Sequence, residues 1–223
     1  LPHEIMWHSL DAGCGTGGNV NRLLNQYGIA HGLDLHPLAL ELAQTKSPNP
    51  FVRGSVLDLP FTHASLDLVT SFEVLYHRAV PDEIAALREV WRVLKPNGYV
   101  LLRMPSYSWL YSQHDQSVHT RRRYVIGEVR AMLEAAQFTI ERISYINSIM
   151  LPLAIAARIG EKVRKSATSD SAMTLPNPFV NTLFTSVLNL EATWFKHGGT
   201  FPWGLSILAL ARKSEIKNRK SEF

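Results

Sequence analysis

A glycine-rich stretch carries the clearest chemical signal in the chain. Residues 10–18 read LDAGCGTGG and directly follow an apolar run. Glycines there allow a sharp turn from strand to helix and bring the backbone close to a ligand. Such a loop faces the crevice at the carboxyl ends of the strands, where α/β folds bind ligands. The spacing Gly13-x-Gly15-x-x-Gly18 also matches the dinucleotide fingerprint, so the glycines alone leave two cofactor classes open.

Three carboxylates at the ends of strand-like runs separate these classes. Asp11 opens the loop, where its carboxylate can face a cationic amino group and would be an unfavourable neighbour for a pyrophosphate. Asp34 closes the second run and can accept hydrogen bonds from both ribose hydroxyls. Asp58, in GSVLDLPF at 54–61, follows the third run and can accept from the exocyclic amine of adenine. Together they favour a cationic adenosine derivative over a dinucleotide.

Histidines are the candidates for a general base. His77 follows the fourth strand-like run, and His114 and His119 lie in HDQSVHTRRRY at 114–124. A histidine titrates near neutral pH and can take a proton from a hydroxyl or amine acceptor. His114 or His119 is the first candidate and His77 the second, and the alternative for His77 is a surface histidine at a helix start. No histidine stands at metal-ligand spacing from Cys, Asp or Glu, so we predict no metal site.

The same 114–124 segment holds candidate substrate residues. Arg121, Arg123 and Tyr124 fall within its RRRY run. A guanidinium can grip a carboxylate or phosphate, which predicts an anionic small-molecule substrate. The alternative is a solvated charge run whose arginines pair with helix acids.

Strand-like and helical patterns alternate through residues 5–103. Apolar runs at 5–12, 30–34, 51–56, 66–72 and 99–103 predict five strands. Helical patterns lie at 20–27, after Pro37 and at 82–94, and the last of these stops at the turn sequence KPNG, 95–98. This alternation predicts an α/β fold with a parallel sheet covered on both faces.

The rhythm changes after Pro105. We predict a single domain over residues 1–212, with a lid at 105–124 over the site and a helical insertion at 147–200. Within this part, a helix is expected at 128–136 and strands at 138–146 and 205–211. The charged residues 213–223 are expected to be a disordered tail.

Composition sets limits on partners and location. The chain has 223 residues and a net charge of +4, with the excess of basic residues in 111–223. One cysteine allows no intrachain disulfide, which fits a reducing, cytoplasmic location. The first ten residues show no secretory signal pattern, and the apolar run 149–157 is far short of the ~20 residues that span a bilayer. An amphipathic helix there leaves peripheral membrane contact open.

In combination, the motifs resemble those of the class I S-adenosylmethionine (SAM)-dependent methyltransferases, of the small-molecule type that includes quinone-biosynthesis enzymes. LDAGCGTGGN resembles their first motif, Asp34 their acidic second-strand end, and GSVLDLPF their adenine-side motif. SLDLVTSFEVLYH and LREVWRVLKPNGYVLL resemble the fourth strand and the helix, turn and strand that follow. These motifs cover about residues 8–103 in order.

The resemblance implies a fold and a set of cofactor contacts. The fold is a Rossmann-like, mostly parallel seven-stranded sheet in order 3-2-1-4-5-7-6, with strand 7 antiparallel and helices on both faces. The cofactor is S-adenosyl-L-methionine. The residues implied to contact it follow the parts of the cofactor in order. The loop residues Asp11, Gly13, Cys14, Gly15 and Gly17 surround the methionine portion, Asp34 and Leu35 the ribose, Asp58 and Leu59 the adenine, and Phe72 and Glu73 the transferring methyl. Cys14 is interpreted as a small packing residue and not as a nucleophile.

The function expected from this resemblance is methyl transfer to an O, N or C atom of a small molecule. Two alternatives stay open: a non-catalytic SAM-binding scaffold subunit and an NAD-dependent oxidoreductase. A nucleic-acid methyltransferase is disfavoured, because the place after strand four reads Ser71-Phe-Glu-Val and not an Asn-Pro-Pro-Tyr-like sequence. The motifs do not indicate which acceptor is used.

Overall fold

The computed structural model describes residues 6–153, 155–156 and 178–214. It contains one seven-stranded sheet in the order β3-β2-β1-β4-β5-β7-β6, as expected. Strands β1 to β5 run parallel, and β7 is antiparallel to both β5 and β6. The strands are β1 Trp7–Ala12, β2 Gly28–Asp34, β3 Phe51–Arg53, β4 Leu66–Phe72, β5 Leu94–Pro105, β6 Phe138–Ile146 and β7 Ser206–Lys213.

Helices flank the sheet. They are α1 Pro37–Lys46, α2 Glu83–Val93, α3 Gln113–Ser117, α4 Ile126–Ala135 and α5 Pro178–Lys196. Because parallel crossovers are right-handed and the strand order reverses between β1 and β4, α1 covers one face and α2 and α4 the other. The larger core cluster joins α2 and α4 to the sheet, and a smaller cluster on the α1 side contains Val20, Leu24 and Leu40.

Two local expectations were wrong. The helix predicted at 20–27 is a short π-helical turn, Val20–Leu24, followed by a 3-10 turn, Asn25–Tyr27. The KPNG sequence does not precede β5 but lies inside it: Leu66 pairs with Leu94 and Leu68 with Tyr99, so residues 95–98 form a bulge. Left-handed Asn97 (φ 64°) makes that bulge, which periodicity could not distinguish from a turn.

The disordered tail was predicted to begin at residue 213, which is too early. Lys213 is the last residue of β7 and only 4% exposed. Its Nζ donates to Leu94 O at 2.6 Å and lies 3.9 Å from the centre of the Trp91 ring. Burial lowers the pKa of this ammonium. The rest of the predicted tail, 215–223, lies outside the described residues.

The expected helical insertion is described in part. Helix α5 occupies residues 178–196, whereas 157–177 lie outside the described residues. Glu191 of α5 accepts hydrogen bonds from the backbone N–H groups of Ser148 and Ile149, at 2.6 and 3.1 Å, and so ties the helix to the end of β6. In the described part of the chain, no helix is both long enough and apolar enough to cross a membrane.

Candidate active site

The glycine loop folds back from β1 onto the end of β2. The backbone N–H groups of Gly13 and Cys14 both donate to Leu33 O, at 2.7 and 2.9 Å. Gly15 N–H donates to Asp34 Oδ2 at 2.8 Å, and His36 N–H donates to Asp34 Oδ1 at 2.9 Å. The structure therefore brings the loop and the predicted ribose carboxylate together. Each Asp34 oxygen has only one of these donors and keeps a further lone pair for a ligand.

Two glycines of the loop have distinct roles. Gly13 has φ +90°, and a Cβ on it would lie 2.2 Å from Val74 Cγ2. The loop thus packs directly on the turn after β4, which only a glycine permits. Gly15 has φ +52°, and a Cβ on it would meet no atom within 4 Å. Its face borders open space, as a backbone that contacts a ligand requires.

Asp11 lies beneath the loop and is fully buried. Thr70 Oγ1 donates to its Oδ1 at 2.7 Å, whereas Oδ2 has no hydrogen bond of ordinary geometry. Burial raises the pKa of Asp11, a change that Thr70 and the nearby Asn19 oppose. The predicted contact with a cationic amino group stays a prediction, and the unpaired buried oxygen is the atom that would accept it.

Cys14 belongs to the same loop, and its side chain is buried. Burial first, and then the charges of Asp11 and Asp34, raise the pKa of its thiol to about 12. A thiol in this state carries no thiolate at neutral pH, so its chemistry suits packing and not nucleophilic attack.

The predicted adenine and ribose neighbours differ in accessibility. Asp58 is exposed, at the end of a turn in which its N–H donates to Ser55 O at 3.2 Å. Leu59 is 2% exposed, and its backbone N–H already donates to Glu89 Oε2 at 3.1 Å. Leu35 is 48% exposed beside Asp34. Asp58 and Leu35 are therefore open to a ligand, whereas Leu59 faces the core.

Glu73 follows Phe72 at the end of β4 in a strained conformation. Its φ of 61° places a non-glycine residue in the left-handed region, which costs on the order of 1–3 kcal/mol. Two contacts with Arg103 of β5 hold it: Glu73 N–H donates to Arg103 O at 3.1 Å, and Arg103 Nε donates to Glu73 Oε1 at 2.8 Å. Burial raises the pKa of Glu73, and Arg103 and a hydrogen bond with Tyr76 oppose this change. Strained residues supported in this way concentrate at functional sites.

A cavity of ≈ 260 Å³ opens beside Glu73. It lies where β4, β5 and β6 end and β7 begins, on the same edge of the sheet as the reversal in strand order between β1 and β4. Open α/β sheets bind ligands along this edge. Its lining consists of Glu73, Pro105, Leu110, Arg123, Asn147, Leu205 and Ser206.

None of the three predicted base histidines is among these lining residues. His114 and His119 are exposed. His77 stacks on the His119 ring at 5.7 Å, and its Nδ1 accepts from Ala79 N–H at 3.0 Å. Burial and then His119 lower the pKa of His77, and the charge of Asp34 opposes them. With Nδ1 engaged, the neutral ring carries its proton on Nε2. The catalytic role of these histidines stays a prediction.

Tyr124 and Arg121 belong to a cluster around the buried carboxylate of Glu83, in the first turn of α2. Tyr124 is fully buried and donates its hydroxyl proton to Glu83 Oε1 at 2.5 Å. Arg121 Nη2 lies 2.6 Å and Arg122 Nε 3.0 Å from the same oxygen. The expected substrate contact of Tyr124 is therefore corrected: it has no exposed surface. The cluster instead fixes the chain at 121–124 to α2.

Arg123 is the one residue of the RRRY run that lines the cavity. Its Nε and Nη2 donate to the two carboxylate oxygens of Asp115, at 2.8 and 3.1 Å, and its Nη1 donates to Ser106 O at 3.1 Å. The side chains of this pair are only 11% and 3% exposed. Three of the five N–H groups of the guanidinium are used, and two remain.

Comparison with known proteins agrees with this geometry. A family model described as a methyltransferase domain matches residues 10–102. A demethylmenaquinone methyltransferase of Lactococcus lactis is 36% identical over 101 residues, 41% of this chain and 39% of the relative. The phthiotriol/phenolphthiotriol dimycocerosates methyltransferase of Mycobacterium leprae is 36% identical over 96 residues, 41% of this chain and 35% of the relative.

A solved structure of an S-adenosylmethionine-dependent methyltransferase from Mesorhizobium loti shares the fold. Its TM-score is 0.62 at 16% identity, over 95% of this chain and 93% of that one. The match over residues 10–102 and the shared fold support a class I SAM-dependent methyltransferase domain. The chain spans well under half the length of the two curated relatives described above, with which it shares the domain core.

The loop residues fit S-adenosylmethionine, the cofactor of this family. The open face at Gly15 gives the ligand access to the backbone, and Asp34 offers acceptor atoms at the adjacent strand end. The unpaired Oδ2 of Asp11 is the kind of buried acceptor that a ligand ammonium would satisfy.

Sequence reasoning missed several residues of the site. Arg103 was predicted only as the last residue of a strand, but its side chain holds Glu73. Val74 was predicted only as part of a strand-end motif, but its side chain packs on Gly13. Glu83 gave no motif signal, and Asp115 was visible only as a member of the 114–124 segment. The excess of arginine at 121–123 was the available clue, because buried guanidinium groups need carboxylate partners.

Proposed function

We propose that the protein transfers a methyl group from S-adenosylmethionine to a small-molecule acceptor. The observation that carries the proposal is the junction of the glycine loop with the turn after β4. Gly13 packs on Val74, so the cofactor loop and Glu73 lie on the two sides of the reversal in strand order. Donor and acceptor would meet there, in the crevice at the carboxyl ends of β1 and β4.

When bound, the cofactor supplies a methyl group already activated on a sulfonium. The chain then has mainly to position the two reactants and exclude water. The Gly15 face would hold the methionine side of the cofactor, Asp34 would hold its ribose, and the Glu73 cavity would hold the acceptor. The acceptors in the two relatives' names, demethylmenaquinone and phthiotriol/phenolphthiotriol dimycocerosates, support a small molecule over a nucleic acid.

Isothermal calorimetry with SAM, S-adenosylhomocysteine and NAD tests the cofactor assignment. We expect the first two to bind and NAD not to bind. Asp34→Ala should weaken SAM binding by roughly 1–3 kcal/mol, since ribose hydroxyls lose their acceptor. Asp67→Ala is the control, because Asp67 pairs with Lys95 at the opposite end of β4. NAD binding without SAM binding, or equal SAM affinity in both variants, would refute the assignment.

A screen for release of S-adenosylhomocysteine separates an enzyme from a non-catalytic SAM-binding subunit. Small hydroxyl and amine compounds would be offered with SAM, and the acceptor would be the compound that raises product release above the background. SAM binding with no release for any acceptor class would favour the scaffold alternative.

A further inference from the structure

The cavity beside Glu73 has a charge pattern that selects among acceptor classes. Its two charged lining residues are Glu73 and Arg123. Each charge is already paired with an opposite charge that does not line the cavity: Glu73 with Arg103 at 2.8 Å, and Arg123 with Asp115 at 2.8 Å. The site is therefore close to neutral overall. An anionic or a cationic acceptor would find its counter-charge already paired, which disfavours the anionic substrate expected from the arginine run.

Hydrogen-bonding capacity nevertheless remains on both walls. A carboxylate accepts at about four lone-pair positions, and the contacts of Glu73 with Arg103 and Tyr76 use two of them. Arg123 keeps two N–H groups beyond those given to Asp115 and Ser106. The cavity thus presents an acceptor on one side and donors on the other.

Resting on the proposed function, we propose that the acceptor is a neutral hydroxyl compound that binds in this cavity, with its hydroxyl donating to Glu73 and another of its polar atoms accepting from Arg123. At ≈ 260 Å³ the space lies just below the ~300–1,000 Å³ of typical small-molecule sites, and this size suits a single ring. Glu73 is then a catalytic residue, in place of the histidines that do not line the cavity.

The proton and electron balance follows directly. The acceptor oxygen forms a bond to the methyl carbon while the carbon–sulfur bond breaks, and the electron pair of that bond goes to sulfur. The hydroxyl proton moves to the carboxylate of Glu73, which becomes neutral as the sulfonium charge disappears. Before the reaction, the ion pair with Arg103 stabilises the negative charge of the Glu73 carboxylate. The carboxylate is therefore available as a base without a counter-ion from solution.

The raised pKa of Glu73 gives the site a pH signature. The charged and titratable groups that face Glu73 are Arg103 on β5, Tyr76 in its own turn and Arg123 beyond α3. Burial and Glu73 itself raise the pKa of Tyr76 to about 12, so Tyr76 does not titrate near neutral pH. Asp115, behind Arg123, keeps a lowered pKa although burial opposes it, because Arg123 and Ser112 bind its charged form. Hydroxyl binding should therefore weaken as pH falls through the raised pKa of Glu73 alone.

Three probes of similar size test the charge class: phenol, benzoate and benzylammonium, titrated into the protein by ligand-observed NMR. We expect phenol to bind more tightly than either ion. Glu73→Gln should weaken phenol binding about five- to tenfold and abolish its pH dependence, because the charge-assisted hydrogen bond becomes a neutral one. Ser206→Leu should remove phenol binding by filling the cavity.

Glu141→Gln is the matched control. Glu141 pairs with Arg212 at 2.8 Å and 38% side-chain exposure, like the Glu73–Arg103 pair, but away from the cavity. It should leave phenol binding unchanged. Tighter binding of benzoate or benzylammonium, or equal phenol binding by Glu73→Gln and Glu141→Gln, would overturn the proposal. The SAM titration is separate, so failure of phenol selectivity with intact SAM binding rejects this inference alone. Failure of SAM binding rejects the proposed function.

Discussion

The Glu83 cluster offers a direct test of how the segment at 121–124 is held in place. One carboxylate oxygen of Glu83 accepts from Tyr124, Arg121 and Arg122, and its side chain is only 8% exposed. Burial raises the pKa of Glu83, but the hydrogen bonds from Tyr124, Arg121, the backbone and Arg122 outweigh it and lower the pKa from 4.5 to about 2. The folded state therefore binds the charged form of Glu83 strongly.

The expected magnitude follows from linkage. A fall in pKa from 4.5 to about 2 corresponds to an upper limit of about 3.4 kcal/mol at neutral pH. The Arg121 and Arg122 side chains are 33% and 41% exposed, so water screens part of their attraction. We expect Glu83→Gln, which keeps the size but removes the charge, to lower the free energy of unfolding by about 2 kcal/mol.

Urea unfolding at two pH values measures the effect. Since the folded-state pKa is depressed, the stabilisation is fully present above pH 4.5 and is lost as pH falls toward 2. The difference between wild type and Glu83→Gln should therefore shrink at pH 3.5 to about 60% of its value at pH 7. Other acids titrate in both proteins and largely cancel in this difference.

Glu128→Gln is the control for the same arginine. Glu128 lies 3.4 Å from Arg122 and its side chain is 43% exposed, so its removal should cost less than about 1 kcal/mol. If Glu83→Gln destabilised no more than Glu128→Gln at pH 7, the cluster would not hold the segment. A difference that stayed constant down to pH 3.5 would show that the loss comes from packing and not from charge.

Two further predictions concern the site. Gly13→Ala should destabilise the fold and weaken SAM binding at least tenfold, because a Cβ at φ +90° would lie 2.2 Å from Val74. Adding Val74→Ala should restore part of the SAM binding. Calorimetry on the single and double variants measures this rescue, and its absence would show that the clash is not the cause. The single variants His77→Ala, His114→Ala and His119→Ala should each keep turnover within about threefold once an acceptor is known, since none of these histidines lines the cavity. A loss of a hundredfold or more in one of them would return the base assignment to that histidine.

Several strands and the cofactor loop could be predicted from sequence because their signals are local, whereas the order of the sheet followed from the family resemblance. The strand at 66–72 and the strand at 138–146 were bounded correctly by their apolar runs. The glycine loop and Asp34 were recognisable because a tight turn and a strand-end carboxylate are constraints on single residues. The combination of such motifs in one order then specified a known fold.

Local signals fail where two acceptable structures share one pattern. The KPNG sequence suits both a turn and a bulge, and pairing with Leu66 and Leu68 of β4 decided for the bulge. Lys213 begins a charged run in the sequence, yet pairing of β7 with β5 and β6 carries it to a buried carbonyl at Leu94. Long-range strand pairing fixes such residues, and no short window contains it.

The surroundings of the proposed acceptor cavity were decided by tertiary structure. The sequence by itself determined which residue types were present at 121–124, but not which charges meet which partners. Folding places Glu83 and Asp115 against these arginines and so neutralises a run that suggests anion binding. It also joins Glu73 to Arg103 and turns Arg123 toward the same cavity. Charge pairing between groups that are distant in sequence depends on distance and burial, and only the folded chain sets these quantities.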